Sequence, residues 1–275
     1  MKLGVIGGGV MGEAIISCLL RLGIYDCVDI GVSDRAAERL DYLKAKYQVS
    51  TYSTNTDILQ AEIILLAIKP QAFIEASAKH KEFHRTELDK FTPKHKLVIS
   101  IMAGITLAQL EKSFAESPVI RAMPNTPAQV GAGITALCAG KLARSEHLLQ
   151  AHKIFAAVGE VVEVPESMLN AVTGLSGSGP AYVALMVEAM ADGGVAMGLS
   201  RAIALQLAIQ TLLGTAELIK QTGIHPGQLK DQVSSPGGTT IAGIRQLEKL
   251  GVRFALIEAV CAATLRAEEL AKIQD

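Results

Sequence analysis

Three glycines near the start of the chain constrain its fold more than any other feature. Leu3-Gly4-Val5-Ile6-Gly7-Gly8-Gly9-Val10-Met11-Gly12 carries G-x-G-x-x-G through Gly7, Gly9 and Gly12, directly after an apolar run and directly before a helical pattern. Each glycine answers a separate steric demand. Gly7 permits a tight turn, Gly9 lets the backbone approach a pyrophosphate, and Gly12 lets the helix pack closely on the strand. The helix N-terminus adds unpaired N–H groups and partial positive charge. The spacing alone is a weak signal and also fits a purely structural turn. With a strand before it, a helix after it and a second strand on schedule, it points to a dinucleotide site built from Gly7, Gly8, Gly9, Val10, Met11 and Gly12.

The rest of residues 1–164 repeats the alternation. Strands are expected at Leu3–Ile6, Val28–Val32, Glu62–Ala67, Leu97–Ile101 and Val119–Arg121, with helical segments such as Met11–Leu22 and Arg35–Tyr47 between them. Strands alternating with helices imply an α/β fold with a doubly wound parallel sheet. Gly133–Cys138 and Glu160–Val164 are expected to extend it, and His80–Lys96, rich in Lys and His, reads as a solvated excursion. Pro165 marks a boundary. Residues 165–275 read as an all-helical domain, with helices beginning near Ser178, Ser200, His225, Thr239 and Val252, each preceded by Gly, Pro, Ser or Thr punctuation.

Composition narrows the function classes. The 275 residues are 49% hydrophobic and 19% charged with a net charge of −1. That excludes a disordered chain and argues against nucleic acid or an anionic membrane as partner. Cys18, Cys27, Cys138 and Cys261 form no C-x-x-C pair and read as reduced thiols, which with the early first strand predicts a cytoplasmic protein without a bound metal. The zone Val183–Ile219 is long and apolar, but Glu188, Asp192, Arg201 and Glu217 interrupt it and argue against a bilayer. Ala202, Ile203, Leu205, Leu207, Ala208, Ile209, Leu212 and Leu213 cover most of one helix circumference, leaving Gln206, Gln210 and Glu217 as a thin polar stripe. Such a helix must be buried nearly all round. A domain of this size has too little mass to wrap it, so an obligate homodimer is expected, with burial inside the domain itself as the alternative. Gly193 and Gly194 in the preceding helix fit close helix approach.

In a doubly wound sheet, ligands lie beyond the carboxyl ends of the strands. Ser33 and Arg35, at the end of the second strand, are placed to hold a 2′-phosphate and favour NADPH. Asp34 between them suits an NAD ribose and leaves NADH as the alternative. Ala67-Ile68-Lys69-Pro70 ends another strand, with Lys69 near cofactor ribose or phosphate. Asn55 suits the adenosine side or a local turn, and Ala103 suits close approach by the nicotinamide half. Three further loops stand out: Arg121–Ala128, Thr173–Tyr182 and Ser234–Thr240. In the last, Gly237, Gly238, Thr239 and Thr240 open a helix without Lys or Arg, a form suited to a single carboxylate or to a plain helix cap.

Together these segments resemble the pyrroline-5-carboxylate reductase family. The matching pieces are V-I-G-G-G-V-M-G, A-I-K-P at 67–70, R-A-M-P-N-T-P-A at 121–128, T-G-L-S-G-S-G-P-A-Y at 173–182 and H-P-G-Q-L-K-D-Q-V-S-S-P-G-G-T-T-I at 225–241. The resemblance spans the chain in order. It implies an N-terminal Rossmann domain and a helical C-terminal domain that interlocks into a dimer, with dimers assembling further in the family. It also implies NAD(P)H-dependent reduction of a cyclic imino acid, 1-pyrroline-5-carboxylate, to L-proline. Residue by residue, it places Gly7 to Gly12, Ser33, Arg35, Asn55, Ala67 to Pro70 and Ala103 along the dinucleotide. Gly237, Gly238, Thr239 and Thr240 fall at the substrate, with Glu166 on the substrate side, although a Glu at a helix start also suits dipole compensation.

The chemistry needs a hydride at the imine carbon and a proton or strong hydrogen bond at nitrogen. The substrate loops hold no strong general acid, so Thr240 is expected to hydrogen-bond the nitrogen while solvent or a protonated substrate supplies the proton. His225 precedes Pro226 at a helix start and fits a structural role better than an acid. Two other readings compete: a different reductase on the same architecture, and a non-catalytic NADP sensor. The first wants a Lys, Arg or His clamp that does not stand out, and the intact 235–240 loop argues against the second.

Overall fold

The structure, a computed structural model, describes residues 1–75 and 95–273. They divide into two compact units, Met1–Gly177 with Ala263–Asp275, and Ser178–Ala262. Most of the expected His80–Lys96 excursion lies outside the described residues.

The first unit is built on one eight-stranded sheet in the order β3-β2-β1-β4-β5-β6-β7-β8. The strands are β1 (Leu3–Ile6), β2 (Ile30–Ser33), β3 (Ser50–Tyr52), β4 (Ile63–Leu66), β5 (Leu97–Ser100), β6 (Val119–Met123), β7 (Gly133–Ala139) and β8 (Gly159–Glu163). Pairing is parallel from β3 through β6; β7 runs antiparallel to β6, and β8 parallel to β7. Every residue of β1, β2, β4 and β5 is buried, because both sheet faces are covered. One core lies around Val5, Ile15, Leu19 and Phe155, and another around Ile6, Ile64, Leu66 and Leu110. The covering helices include α1 (Val10–Arg21), α2 (Ala37–Tyr47), α3 (Leu107–Ser113) and α4 (Ser145–Phe155). Because the order runs 3-2-1 and then 4-5-6, the direction of winding reverses between β1 and β4. That switch point is where open α/β sheets bind ligands.

Two details depart from the expected strands. Residues Cys27–Asp29 form a 3-10 turn closed by Asp29 N–H donating to Asp26 O at 2.9 Å, so the second strand starts later, at Ile30. The short edge strand β3 was not anticipated at all. Its three residues are exposed or half-buried, so they carry no apolar signature.

Residues that follow Pro165 continue the first unit. A 3-10 turn at Glu166–Met168 leads into α5 (Leu169–Val172) and a π-helical turn at Thr173–Gly177. Leu169 is buried in the core around Ile6 and Leu110. The contacts of Glu166 and Leu169 thus keep 165–177 with the sheet.

The second unit contains α6 (Gly179–Ala196), α7 (Arg201–Thr222), α8 (Pro226–Gln232) and α9 (Thr239–Lys249), and α10 (Val252–Ile273) starts within it. Each helix begins within a residue or two of its expected start. The punctuation explains why: Ser200 caps α7 by accepting from Ile203 N–H, and Gly223 ends that helix in the left-handed region. The core of this unit is small. Ala191, Ala204 and Ala208 are buried, with Val187 and Val195 against them. A Cβ on Gly194 would sit 3.0 Å from Ala204 Cβ, so this glycine serves the α6–α7 approach, while one on Gly193 would meet open space in the protomer. Ile203, Leu205, Leu207, Ile209 and Leu213 are all exposed. Among the described residues α7 is the one helix long and apolar enough to cross a membrane.

Candidate functional site

The carboxyl ends of β2, β1, β4 and β5 are drawn into one row by hydrogen bonds beyond the strands. Gly7 N–H donates to Ser33 O at 2.8 Å, Ala67 N–H to Ile6 O at 2.8 Å, and Ile101 N–H to Leu66 O at 3.1 Å. The row brings the glycine loop, Ser33, Ala67 to Pro70 and the Ile101–Gly104 segment to one end of the sheet.

The three glycines play distinct parts. Gly7 has φ +104°, and a Cβ there would lie 2.6 Å from Ala67 O. A Cβ on Gly12 would collide with the Gly7 carbonyl oxygen, whereas Gly9 is exposed and a Cβ there would meet nothing within 4 Å. Gly9 also caps α1 without a side-chain bond. The first-turn N–H groups of α1, including those of Val10 and Met11, therefore lack partners within the helix. The loop is thus closed toward the sheet and open on the side where a diphosphate would approach.

The next segment holds the loop. Asp34 accepts from Gly8 N–H at 2.8 Å and from Ala36 N–H at 3.0 Å. Arg39 donates from Nε to Gly8 O and from Nη2 to Glu13. Glu13 also accepts from Tyr47 OH at 2.8 Å, Lys46 Nζ at 3.0 Å and Tyr42 OH at 3.1 Å. Burial pushes the Glu13 carboxyl up, but the hydrogen bonds from Arg39, Tyr47 and Lys46 outweigh it and bring the pKa down to about 2. None of these contacts was foreseen. Arg39 and Glu13 are 26 residues apart, and an ordinary charged helix face gives no sign of such a tie.

The expected cofactor residues around the loop occupy three kinds of position. Ser33 is buried, and its hydroxyl donates to Asn55 Oδ1 at 2.7 Å, which ties the β2 end to the Asn55 loop. Arg35, Lys69 and Ala103 are exposed. Ile68 and Pro70 are half-buried, and Ile68 packs against the core around Ile6.

Farther along the sheet, Glu166 Oε1 accepts from Leu107 N–H at 2.6 Å and from Arg121 Nη1 at 3.1 Å. Arg121 is only 6% exposed. A buried guanidinium needs such a partner. Glu166 therefore anchors Arg121 and the start of α3, in addition to any role toward substrate. Asn125 links two of the unusual loops, accepting from Ile134 N–H at 2.9 Å and donating to Ser176 O at 3.1 Å. Thr173 and Ser176 spend their hydroxyls on carbonyls four residues back, at 2.8 and 3.0 Å.

In the second unit, Gly237 has φ +65° and Gly238 is the extended N-cap of α9, with no side-chain cap. Gly238 N–H closes the turn on Ser235 O at 3.0 Å. The N–H groups of Thr239, Thr240 and Ile241 lie in the first helical turn, where no intrahelical acceptor exists. Thr239 is exposed and Thr240 half-buried. This is an anion-receptive helix start with a hydroxyl at its second position. His225 caps α8, its Nδ1 accepting from Gly227 N–H at 3.1 Å. No group of three or more metal-ligating side chains occurs among the described residues.

Comparison with known proteins covers the chain from end to end. Residues 166–270 match the family model described as pyrroline-5-carboxylate reductase dimerisation, and residues 2–104 match that described as NADP oxidoreductase, coenzyme F420-dependent. The chain is similar to a pyrroline-5-carboxylate reductase of Synechocystis, 52% identical over 273 residues and covering 99% of each chain. A Methanosarcina acetivorans protein of the same name is 44% identical, with 98% of each covered. Among solved structures, the Coxiella burnetii pyrroline-5-carboxylate reductase superposes with TM-score 0.87 at 37% identity, covering 98% of each chain. The Plasmodium falciparum pyrroline carboxylate reductase with NADP bound gives TM-score 0.85 at 30% identity, again over 98% of each.

Proposed function

The chain belongs to the pyrroline-5-carboxylate reductase family, and from that premise we propose that it reduces 1-pyrroline-5-carboxylate to L-proline, the last step of proline biosynthesis, with NADPH preferred over NADH. The observation that carries this reading is the 52% identity over 273 residues, 99% of each chain. The residues present fit a dinucleotide. Gly7 and Gly12 leave no room for a side chain, Gly9 borders open space, and α1 starts there without a side-chain cap, its first N–H groups having no acceptor within the helix.

Within this reading, Gly7 to Gly12 form the diphosphate loop: the Gly7 and Gly8 N–H groups are held by Ser33 O and Asp34, those of Val10 and Met11 at the start of α1 meet the diphosphate, and Arg35 and Ser33 lie at the 2′-phosphate end. Asn55, Ala67 to Pro70 and Ala103 complete the cofactor lining. A bound NADPH supplies a hydride for the imine carbon. Gly237, Gly238 and Thr239 hold the substrate carboxylate at the start of α9, and Thr240 hydrogen-bonds the ring nitrogen. Glu166 lies on the substrate side while neutralising Arg121. The proton on nitrogen comes from solvent or arrives with the substrate, because none of these groups is a strong acid. By role, we assign residues 1–164 to dinucleotide binding and 165–275 to substrate binding and dimerisation, although residues up to Gly177 and from Ala263 onward belong to the first compact unit.

The dimerisation match and the exposed apolar helices support an obligate homodimer; assembly of dimers into a larger oligomer rests on the family resemblance alone. We place the protein in the cytoplasm, with neither nucleic acid nor membrane as partner; the net charge of −1 supports the exclusion of nucleic acid and of an anionic membrane surface. The test is spectrophotometric: oxidation of NADPH and of NADH in the presence of pyrroline-5-carboxylate, with proline identified as product. Turnover with neither cofactor overturns the reading.

A further inference from the structure

Gly8 is gripped at both of its backbone polar groups by one segment. Asp34 accepts from its N–H at 2.8 Å, and the guanidinium of Arg39 donates to its carbonyl. Arg39 is in turn held from outside. Its Nη2 ion-pairs with Glu13 on α1, and its guanidinium carbon lies 4.9 Å from the centre of the Tyr42 ring. On α2, Arg39, Tyr42 and Lys46 follow the i, i+3, i+7 spacing of one helix face, and Tyr47 joins them. All four side chains converge on Glu13.

Exposed ion pairs contribute little to stability. This one differs in two respects. The Arg39 and Glu13 side chains are only 27% and 19% exposed, and one guanidinium serves two acceptors with the fork geometry that lysine lacks. The backbone it fixes lies between Gly7 and Gly9, the residues that turn the chain beneath a diphosphate. A loop must hold its N–H groups still to bind an anion without an ordering cost.

We propose that Arg39, oriented by Glu13, is a positioning residue of the dinucleotide loop: it fixes the Gly8 carbonyl and so presets the N–H groups that receive the diphosphate. This rests on the dinucleotide reading above. It also gives the acidic residue after β2 a different task from the usual ribose contact, since Asp34 is engaged by the N–H groups of Gly8 and Ala36.

The test is calorimetric titration of NADPH into the full-length protein, with steady-state kinetics beside it. Arg39→Met should raise the NADPH Kd and KM by about tenfold, as for one charge-assisted contact. The imine KM and kcat should stay within about twofold, because the reacting end of the site is untouched. Arg39→Lys should restore only part of the affinity. Glu13→Gln should weaken NADPH by about threefold, and the double variant should bind no worse than Arg39→Met alone, because Glu13 acts through Arg39. Should Arg39→Met fail to fold, Arg39→Lys and Glu13→Gln carry the same readout. Wild-type protein that binds no dinucleotide overturns the proposed function together with this inference. Wild-type binding with unchanged affinity in the Arg39 variants, or an equal rise in the imine KM, overturns this inference alone.

Discussion

Thr240 occupies the second position of α9, half-buried, next to a helix start that offers only backbone donors. Removing its hydroxyl leaves those donors in place, so carboxylate binding should survive Thr240→Ala while turnover falls. A fall of about 10- to 100-fold in kcat, worth roughly 1.4–2.7 kcal/mol, corresponds to one hydrogen bond that strengthens as the nitrogen changes. Thr240→Ser should recover most of the rate. A rise in the imine KM with kcat unchanged would make Thr240 a binding contact only. Arg35 yields a second test at this scale. It is exposed at the β2 end, and Arg35→Ala should weaken NADPH by roughly 1.5–3 kcal/mol while leaving NADH nearly unchanged. Equal weakening of both cofactors in parallel titrations would remove Arg35 from the 2′-phosphate end. Residues of this kind were legible as candidates because they lie inside spaced motifs. Arg39 at Gly8 and Arg121 at Glu166 were not, since each contact joins residues far apart in sequence whose types are common on any helix or strand.

Elements were read from pattern, and their legibility follows pattern strength. β1 and β4 are four-residue apolar runs, and both were expected, β4 with one residue more at each end. β3 has one hydroxyl residue after another and an edge position, so no alternation announces it. The antiparallel turn of β7 against β6 was also invisible, because strand direction is set by the connection and not by the strand's own residues. The strongest element-level signal, the β1–loop–α1 unit, makes two glycine substitutions diverge. Gly12→Ala sets a Cβ against the Gly7 carbonyl and must push α1 away from the loop. A loss of about 1–3 kcal/mol in stability is expected, together with loss of dinucleotide binding. Gly9→Ala meets nothing in the protein, so its melting temperature should match the wild type. Dinucleotide affinity should nonetheless fall, because the new methyl group occupies the approach side of the loop. A Gly9→Ala variant with normal affinity, measured by titration, would show that the diphosphate does not pass over Gly9.

For the whole molecule, the second unit poses a packing problem that its own chain does not solve. Its buried core is three alanines, while Ile203, Leu207, Ile209 and Leu213 on α7 and Leu256 and Ile257 on α10 are left exposed in a single protomer. Exposed apolar surface on this scale is characteristic of obligate interfaces and of membrane spans. Length and composition alone would admit α7 as a span, but residues 166–270 match a dimerisation family, and a second copy supplies apolar cover from the same surface. Two consequences follow from burial by a copy. The melting temperature should rise with protein concentration, since dissociation and unfolding are linked. Ile209→Glu should place a charge in the covered face, where an unpaired carboxylate is costly, and light scattering should then report monomers or aggregates in place of dimers. Activity should be lost with the dimer, because the same helical unit carries the Gly237–Thr240 turn. An Ile209→Glu protein that stays monomeric, soluble and fully active would mean that α7 is satisfied without a partner and that the assembly is incidental to catalysis.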